Sequence, residues 1–483
     1  MRPYSIREVI GIVGAHLVHG EPSNQVAGVT SDSRKASPGD LFCALVGERV
    51  DGHSFVVDVF RKGASAAMIE HPVPGLAETL SAEDREGRFC LLEVPSVVKS
   101  LQALAASYRA ELATKVIGIT GSVGKTSTKD LICSVLREKY EAYGNAGNLN
   151  SHVGLPLAVL AINGTPQYAV LEMAMRARGE ITELCDIAKP EIGILTDIST
   201  SHVGVLGSIE EIALAKAEIL TSLPPGGAAI AAGDNEWVRK MSREAAPQPV
   251  MFYGLSEGCD VRGLDVVSLG AEGSAFRAEV TGELRDCASC PGSMAFRLRV
   301  PGLHQVHNAL AAVAVGLLTG VPYEQIRDGL ENAVMSPMRL QVVAAKGFTI
   351  INDAYNASPK SMRSALDLLH ETGGGRKIAV LGDMLEMGDH GPKAHREVGE
   401  YARSKASFLA CSGQLGREII AAWDATGGGG SSSWFPDKAH LTEFLEGFVR
   451  PGDTVLVKAS RGMGFESVVS ALMGEAGVVH SAH

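Results

Sequence analysis

The sequence has no cluster of lysine and arginine residues, and its formal net charge is −11. An acidic chain without a basic stripe is not expected to bind DNA or RNA. The longest apolar run, residues 309–318, is far shorter than the roughly 20 apolar residues that a membrane-spanning helix needs. The first residues, MRPYSIREVIGIVG, lack the basic and apolar segments of a signal peptide. We therefore expect a cytoplasmic protein without membrane insertion.

Cysteine is sparse as well, with eight residues scattered along the chain. Only Cys287 and Cys290 form a C-x-x-C pair, and no second pair completes a zinc site. This pattern predicts free thiols in a reducing compartment. The chain is instead rich in apolar residues, at 45% of 483 residues. That length exceeds what one hydrophobic core supports and predicts about three domains.

The strongest chemical pattern is the stretch 116–136, VIGITGSVGKTSTKDLICSVL. Its apolar, β-branched start predicts a buried strand of a parallel sheet, and its end predicts an amphipathic helix. A glycine loop between strand and helix is typical of phosphate binding: backbone N–H groups face the phosphates, a lysine reaches the β and γ oxygens and a hydroxyl holds Mg²⁺. Ile119 replaces the first glycine of the strict motif. The predicted phosphate contacts are Gly121, Ser122, Val123, Gly124, Lys125, Thr126 and Ser127.

Three further residues fall where ligands gather in α/β proteins, at the carboxyl ends of strands or on an inward helix face. Glu172 ends the predicted strand 168–172, and His202 follows the predicted strand 192–196. Lys216 lies on the apolar face of the predicted helix 209–220. A buried ammonium must be paired, neutralised or modified. Two alternatives stay open at this point: a lone histidine is often structural, and a lysine stem can reach the surface.

Alternating strand and helix patterns divide the chain into three predicted α/β segments, residues 1–95, 96–336 and 337–483. The central segment predicts a mostly parallel sheet. In the third segment, the sequence DAYNASP at 353–359 follows a predicted strand. The tract GGGGSSS at 427–433 predicts a flexible surface loop.

The motifs TGSVGKTS, LEMAMRARGEI, SHVGVLGS, ALAKAEIL, HNALAA, MRLQ and DAYNASP resemble those of the Mur ligases in order and spacing. These are the ATP-dependent amide-forming enzymes of peptidoglycan assembly, and the resemblance spans almost the whole chain. DAYNASP is most similar to the member that attaches D-alanyl-D-alanine to UDP-N-acetylmuramoyl-tripeptide. The resemblance implies an N-terminal α/β UDP-binding domain, a central P-loop ATPase and a C-terminal Rossmann-like domain, in a monomeric enzyme.

The resemblance also implies roles for single residues. Lys125 and Thr126 would hold the ATP phosphates and a first Mg²⁺, of which Glu172 would be a ligand. His202 and a carbamylated Lys216 would bind a second Mg²⁺, and both would take part in catalysis together with Lys125. The other implied contacts are Asn308, Arg339 and Asp353 for the nucleotide, Asn148, Asn150 and Arg178 for the muramoyl-peptide, Tyr355 and Asn356 for the amine, and Ser33 and Arg34 for the uridine end.

The chain departs from the family pattern at Ala174, Ala217 and Ala459, where glycine is usual. Alanine at 174 and 459 requires a negative φ, and alanine at 217 should stabilise its helix by about 1 kcal/mol. Two other functions were weighed. A ligase of the folylpolyglutamate-synthase type shares the ATPase plan but lacks an N-terminal uridine domain, and a GTP-driven switch should carry Asn-Lys-x-Asp, which is absent from this sequence.

Overall fold

The computed structural model describes residues 1–47, 50–200, 203–282, 292–427 and 429–474. These residues form three α/β units in chain order, each built on its own main sheet. The predicted α/β fold class is thereby confirmed. Cys287 and Cys290 lie outside the described residues, and the six described cysteines are free and buried. No helix in the described ranges has the length and apolar character needed to cross a bilayer.

The first unit carries a five-stranded sheet in the order β2-β7-β6-β5-β4, in which only β2 is antiparallel to its neighbour, and a short β1–β3 ladder. Its strands are β1 (Tyr4–Ser5), β2 (His16–His19), β3 (Gln25–Val26), β4 (Gly28–Thr30), β5 (Asp40–Cys43), β6 (Ala66–Ile69) and β7 (Cys90–Glu93). Its helices are α1 (Ile6–Val13), α2 (Val56–Arg61) and α3 (Leu76–Glu83), with a 3₁₀ turn at Gly52–Phe55.

The central unit has a nine-stranded sheet in the order β16-β15-β14-β13-β12-β11-β8-β10-β9, parallel from β9 to β14 and antiparallel beyond. The strands are β8 (Lys115–Thr120), β9 (Ala142–Gly144), β10 (Tyr168–Glu172), β11 (Ile192–Leu195), β12 (Ala228–Ala232), β13 (Val250–Gly254), β14 (Val261–Ser268), β15 (Ser274–Val280) and β16 (Ser293–Leu298). The helices are α4 (Val97–Glu111), α5 (Lys125–Arg137), α6 (Gly154–Leu160), α7 (Glu180–Ala188), α8 (Val203–Leu206), α9 (Ile209–Thr221), α10 (Glu236–Ala245), α11 (Gln305–Leu318) and α12 (Tyr323–Glu331).

The third unit has a six-stranded sheet in the order β17-β18-β22-β19-β20-β21, parallel except for β17. Its strands are β17 (Gln341–Ala345), β18 (Phe348–Asn352), β19 (Lys377–Leu381), β20 (Phe408–Ser412), β21 (Ser431–Phe435) and β22 (Thr454–Lys458). Its helices are α13 (Pro359–Glu371), α14 (Gly391–Ala402), α15 (Gly416–Ala425), α16 (Lys438–Phe448) and α17 (Glu466–Met473), with 3₁₀ segments at Leu385–His390 and Arg461–Met463.

One structural prediction was wrong: the tract 427–433 is not a loop throughout. Residues from Ser431 onward form β21, which pairs in parallel with β20 at the edge of the third sheet. Serine and glycine have low strand propensity, so the composition hid an edge strand that is fixed by tertiary pairing.

The hydrophobic cores explain how the units are held. One continuous cluster runs from the first unit into the central unit, including Ile6 of the first unit and Val97 and Ile119 of the central unit. The third sheet has separate clusters on its two faces, represented by Leu366 and Val468. The first two units therefore share a core, whereas the third unit packs around its own sheet.

Candidate functional site

The phosphate-loop candidate joins β8 to α5 at the middle of the central sheet, where β8 lies between β10 and β11. The chain order reverses around β8, which is where open α/β sheets form a crevice at the strand ends. Two glycines fit the loop tightly. Gly121 and Gly124 have φ values of 153° and 91°. A Cβ on Gly124 would lie 2.7 Å from Asn308 Oδ1, so a side chain there would be strained.

Lys125 is the first residue of α5, and its Nζ donates a 2.8 Å hydrogen bond to the Gly121 carbonyl across the loop. Loss of hydration lowers the pKa of this lysine, against the pull of the nearby Glu172 carboxylate. The ammonium thus lies within the loop, and among the described residues its one direct hydrogen-bond partner is the Gly121 carbonyl. A phosphate oxygen would replace that carbonyl with a charged acceptor, which makes a stronger hydrogen bond.

The next helix residue, Thr126, donates its hydroxyl to Glu172 Oε2 at 2.6 Å, and Asn150 donates to Glu172 Oε1 at 2.8 Å. Glu172 is 3% exposed at the end of β10, and the side chain of Asn145 accepts its backbone N–H at 2.9 Å. A hydroxyl and a carboxylate at hydrogen-bond distance present hard oxygen donors. That donor set suits Mg²⁺, which prefers oxygen ligands and keeps water in its shell.

Lys216 is 1% exposed on α9, so the inward position predicted from sequence is confirmed. Burial and the neighbouring Lys125 lower its pKa far below the ordinary value. No hydrogen bond or ion pair joins its ammonium to another side chain within the described ranges. The stem does not reach the surface, which removes one alternative. His202 lies outside the described residues, and its role stays a prediction.

The third unit closes the site with the carboxyl ends of β18 and β22. Asp353 pairs with Lys458 and accepts the Leu340 N–H at 3.2 Å. The Lys458 Nζ also donates to the Asn356 carbonyl at 2.8 Å. These contacts fix the DAYNASP segment against the start of the third unit.

Two guanidinium groups flank the aromatic ring of that segment. The Cζ atom of Arg339 lies 4.2 Å from the centroid of the Tyr355 ring, and that of Arg461 lies 5.4 Å away. Desolvation raises the pKa of Tyr355, which keeps the phenol neutral. Guanidinium groups over an aromatic face gain cation–π energy while leaving N–H donors for a ligand.

A second polar group borders the loop from α11. Asn308 Oδ1 accepts the Thr128 hydroxyl at 3.1 Å, and its Nδ2 donates to Gln305 Oε1 at 2.7 Å. His304 lines the same wall, where desolvation lowers its pKa to about 4, so the ring is neutral at pH 7. Amide and imidazole groups of this kind suit the uncharged base of a nucleotide.

Most of these groups line one cleft of about 490 Å³ between the central and third units, whereas Lys216 is not among its lining residues. The predicted residues that line it are Ser122, Val123, Gly124, Lys125, Thr126, Ser127, Asn148, Asn150, Glu172, Asn308, Arg339, Asp353, Tyr355 and Asn356. Gly121 lies behind the loop, where it accepts from Lys125.

Three predicted substrate contacts lie elsewhere. Arg178 is exposed and contacts Glu211 at 3.4 Å. In the first unit, Arg34 forms a two-point contact with Asp32, at 2.8 and 2.9 Å, and the Ser33 carbonyl accepts from Lys62 at 2.6 Å. Their predicted roles toward substrate stay predictions.

The sequence interpretation missed several lining residues, chiefly Lys458, Arg461, Glu386 and His304. Lys458 had a usable signal, because it ends a predicted strand parallel to β18, whose end carries Asp353. Arg461 and Glu386 lie in 3₁₀ segments that no periodicity marks. Neither Ala174 nor Ala459 is among the non-glycine residues of positive φ in the described part of the chain, so both alanines fit their loops.

Comparison with known families assigns all three units. The Mur ligase middle domain matches residues 119–316, and the glutamate ligase domain of the Mur ligases matches residues 338–461. A domain described as the Mur ligase family catalytic domain matches residues 25–109.

Individual relatives match over nearly the full length. The UDP-N-acetylmuramoyl-tripeptide–D-alanyl-D-alanine ligase of Bacillus subtilis (strain 168) is 37% identical over 468 residues, covering 95% of this chain and 97% of the relative. A crystal structure of MurF from Acinetobacter baumannii is similar with a TM-score of 0.84 and 29% identity, covering 98% of this chain and 99% of that one. MurF ligase from Thermotoga maritima, solved in complex with ADP, gives a TM-score of 0.76 and 27% identity, over 93% and 98% of the two chains.

Proposed function

Because this chain belongs to the Mur ligase family, we propose that its cleft is the centre in which ATP activates a peptide carboxylate for attack by an amine. The chain is an ATP-dependent ligase that joins D-alanyl-D-alanine to UDP-N-acetylmuramoyl-tripeptide in peptidoglycan synthesis. The observation that carries this function is the match to ligases of this specificity along almost the entire chain, including the third unit.

The chemistry begins with a carboxylate, which is a poor electrophile. We infer that a carboxylate oxygen of the tripeptide attacks the γ-phosphorus of ATP, the bond to the bridging oxygen breaks and ADP leaves. The amine nitrogen of D-alanyl-D-alanine then attacks the acyl carbon of the resulting acyl phosphate, phosphate leaves with the C–O electrons, and the nitrogen loses a proton. The carboxylate, the ATP phosphates and the acyl phosphate all carry negative charge, so the site must supply positive charge.

Lys125 is the residue of this chain best placed to supply that charge, because it starts the helix behind the phosphate loop. We propose that it contacts the β- and γ-phosphates while the N-terminal amides of α5 face the same oxygens. Arg339 would approach from the third unit, and Asn308 with His304 would border the adenine. Asp353 would then orient the nucleotide through its contacts with Lys458 and Leu340.

The oxygen donors of Thr126 and Glu172 fit a magnesium ion. We propose that they hold a first Mg²⁺, which when bound neutralises phosphate charge. For a second Mg²⁺, Lys216 and His202 are the proposed ligands. The burial and lowered pKa of Lys216, whose amine has no hydrogen-bond partner among the described residues, support carbamylation by CO₂. A lowered pKa leaves a neutral amine able to attack CO₂, and the product offers two oxygen atoms.

The position of each residue in the structure suggests which part of the substrates it would contact. Asn148 and Asn150 line the cleft beside Glu172 and would contact the muramoyl-peptide, with exposed Arg178 farther along. Tyr355 and Asn356 would contact the amine. We place the uridine end on residues 1–95, near Ser33 and Arg34, the ATPase on residues 96–336 and the Rossmann-like unit on residues 337–483. We expect the enzyme to act as a cytoplasmic monomer, in keeping with its free, buried thiols.

The direct test is product formation by the full chain with ATP, Mg²⁺, UDP-N-acetylmuramoyl-tripeptide and D-alanyl-D-alanine. Mass measurement should find the UDP-muramoyl-pentapeptide, with one phosphate released for each amide formed. Omitting either peptide substrate should abolish phosphate release. Steady ATP hydrolysis in the absence of both would contradict the ligase mechanism, since a nucleotide-driven switch needs neither.

A further inference from the structure

Among the described residues, Lys360 and Asp197 form an ion pair between the third unit and the wall of the phosphate loop. Lys360 Nζ, in the first turn of α13, lies 2.6 Å from Asp197 Oδ1, which follows β11 in the central unit. The two residues are 163 positions apart in the chain. Their contact therefore depends on how the third unit docks.

Asp197 is part of the loop's support. Its carbonyl accepts the Ser122 N–H of the phosphate loop at 2.8 Å, and its carboxylate is 5% exposed. Asn235 donates to Oδ1 at 3.0 Å, whereas Oδ2 is buried and has no hydrogen-bond partner. Lys360 is the one cation in direct contact with this carboxylate within the described ranges. A buried carboxylate that loses its cation is left with an uncompensated charge.

The position of Lys360 has no explanation within its own domain. It follows Pro359 at the start of α13, where the helix dipole disfavours a positive charge. The neighbouring Arg363 instead pairs with Glu397 inside the third unit, at 3.4 Å. The positive charge of Lys360 is unfavourable for its own helix, but it is compensated by the Asp197 carboxylate across the cleft.

A second contact supports the same docking. The short helix α8 of the central unit packs against the 3₁₀ segment Leu385–His390 of the third unit. A Cβ on Gly204 would lie 2.7 Å from the Gly388 backbone nitrogen, so the two backbones touch. The linker between the units holds Met338 and Leu340 at φ values of 60° and 50°. Non-glycine residues adopt such values at a cost, and the surrounding contacts must hold them there.

We propose that Lys360 is a positioning residue for the ligation reaction: its ion pair with Asp197 latches the third unit onto the phosphate-loop wall. This ion pair, called the latch below, holds the DAYNASP segment at a fixed position relative to the phosphate loop. The amine substrate on that segment is thereby aligned with the activated carboxylate. This inference rests on the proposed function, because the amine is taken to bind on the third unit. When the latch is lost, the third unit is docked in a smaller fraction of the enzyme molecules. The apparent affinity for the amine then falls in proportion to the docked fraction.

The kinetic test compares Lys360→Met with Arg363→Met, which removes a cation of similar exposure from the same helix, together with an ion pair that lies inside the third unit. Lys360→Met should raise the KM for D-alanyl-D-alanine about tenfold with a smaller change in the KM for ATP, and Lys360→Arg should restore much of the loss. Arg363→Met should leave both values near those of the wild type. The loss of an unfavourable charge at the helix start offsets part of the cost of the uncompensated Asp197 carboxylate, so Lys360→Met should remain folded at the assay temperature, which circular dichroism would show.

A double-mutant cycle and a scattering measurement complete the test. Asp197→Asn combined with Lys360→Met should be no worse than Asp197→Asn alone, because the pair is already broken. With ADP and UDP-muramoyl-tripeptide, the radius of gyration of wild-type enzyme should fall more than that of Lys360→Met. The proposal would be overturned if the effects of the two substitutions on the KM for D-alanyl-D-alanine were additive. It would also be overturned if Lys360→Met left this KM and the ligand-induced fall in the radius of gyration unchanged. A wild-type enzyme without ligase activity would instead overturn the proposed function.

Discussion

Lys125 and Lys216 are two neighbouring lysines whose ammonium groups lie in protein surroundings of low polarity, and their contacts differ. Lys125 donates to a loop carbonyl that a phosphate can replace, whereas Lys216 has no such partner within the described ranges. Loss of hydration lowers the pKa of both lysines; Lys125 lowers that of Lys216 further, and Arg339 lowers that of Lys125. These differences support the two proposed roles, direct phosphate contact for Lys125 and carbamylation for Lys216.

Replacing Lys125 with alanine should lower kcat by about 10²–10³, because one preorganised charge at the transferring phosphoryl group is lost. The melting temperature should stay close to that of the wild type. Lys115→Ala is the matched control, since Lys115 is exposed at the opposite end of the same strand. Phosphate-release rates measure the effect. Near-normal activity of the Lys125 variant would contradict the proposal that residues 121–127 form a phosphate-binding loop.

Replacing Lys216 with methionine should abolish turnover yet raise the free energy of unfolding by about 1–3 kcal/mol in CO₂-free buffer. The reason is that a buried lysine whose amine has no hydrogen-bond partner among the described residues is exchanged for an apolar side chain of similar length. Urea denaturation measures the stability. For activity, Lys216→Ala with added short carboxylates should recover part of the rate. Mass measurement under CO₂ that finds an unmodified lysine in active enzyme would rule out carbamylation.

At the scale of single elements, the phosphate loop was predictable because its strand, glycines and helix are contiguous in sequence. The same holds for the inward face of α9, which periodicity alone placed. Lys458 and Arg461 were missed because their contacts, with Asp353 and Tyr355, are made by elements about a hundred residues apart. The edge strand β21 was missed because its pairing with β20 overrides the poor strand propensity of serine.

The tightness of the phosphate loop gives a prediction at this scale. Gly124→Ala should destabilise the protein by about 1–3 kcal/mol and weaken ATP binding, since alanine at φ 91° is strained and its Cβ would press on Asn308. Gly226→Ala serves as the control, because its φ is 81° but no atom lies within 4 Å of the added Cβ. Thermal unfolding and ATP titration compare the two. If both variants lost the same amount of stability and ATP affinity, the contact of the added Cβ with Asn308 would contribute nothing to the effect of Gly124→Ala.

For the molecule as a whole, the sequence predicted the three α/β units but not how the third one docks. Docking depends on contacts such as Lys360–Asp197 and Gly204–Gly388, which leave no local pattern. The groups that we propose to face ATP come mainly from the central unit, and those that we propose to face the amine come from the third unit. Choice of amine is therefore a property of the docked molecule.

That division predicts strong selection among amines. D-alanyl-D-alanine presents one attacking amine, one amide and one distant carboxylate to the third-unit strand ends, near Tyr355 and Asn356. Free D-alanine would leave the groups that bind the second residue unpaired, and this kind of loss can reduce kcat/KM by roughly four orders of magnitude. Phosphate release with UDP-muramoyl-tripeptide should therefore be measured for D-alanyl-D-alanine, D-alanine and L-lysine at equal concentration.

The acceptor supplies the control for this experiment, because it separates amine choice from ATP chemistry. With UDP-muramoyl-dipeptide in place of the tripeptide, none of the three amines should support rapid turnover. If L-lysine reacted with the dipeptide as fast as D-alanyl-D-alanine reacts with the tripeptide, the enzyme would act one step earlier in the assembly of the peptide. A second variant, Asn356→Ala, locates the hydrogen bonds that distinguish the amines. If it loses the preference for D-alanyl-D-alanine while its KM for ATP is unchanged, these hydrogen bonds lie on the third unit. Selectivity that persists in this variant would shift them to the central wall of the cleft, where Asn148 and Asn150 lie.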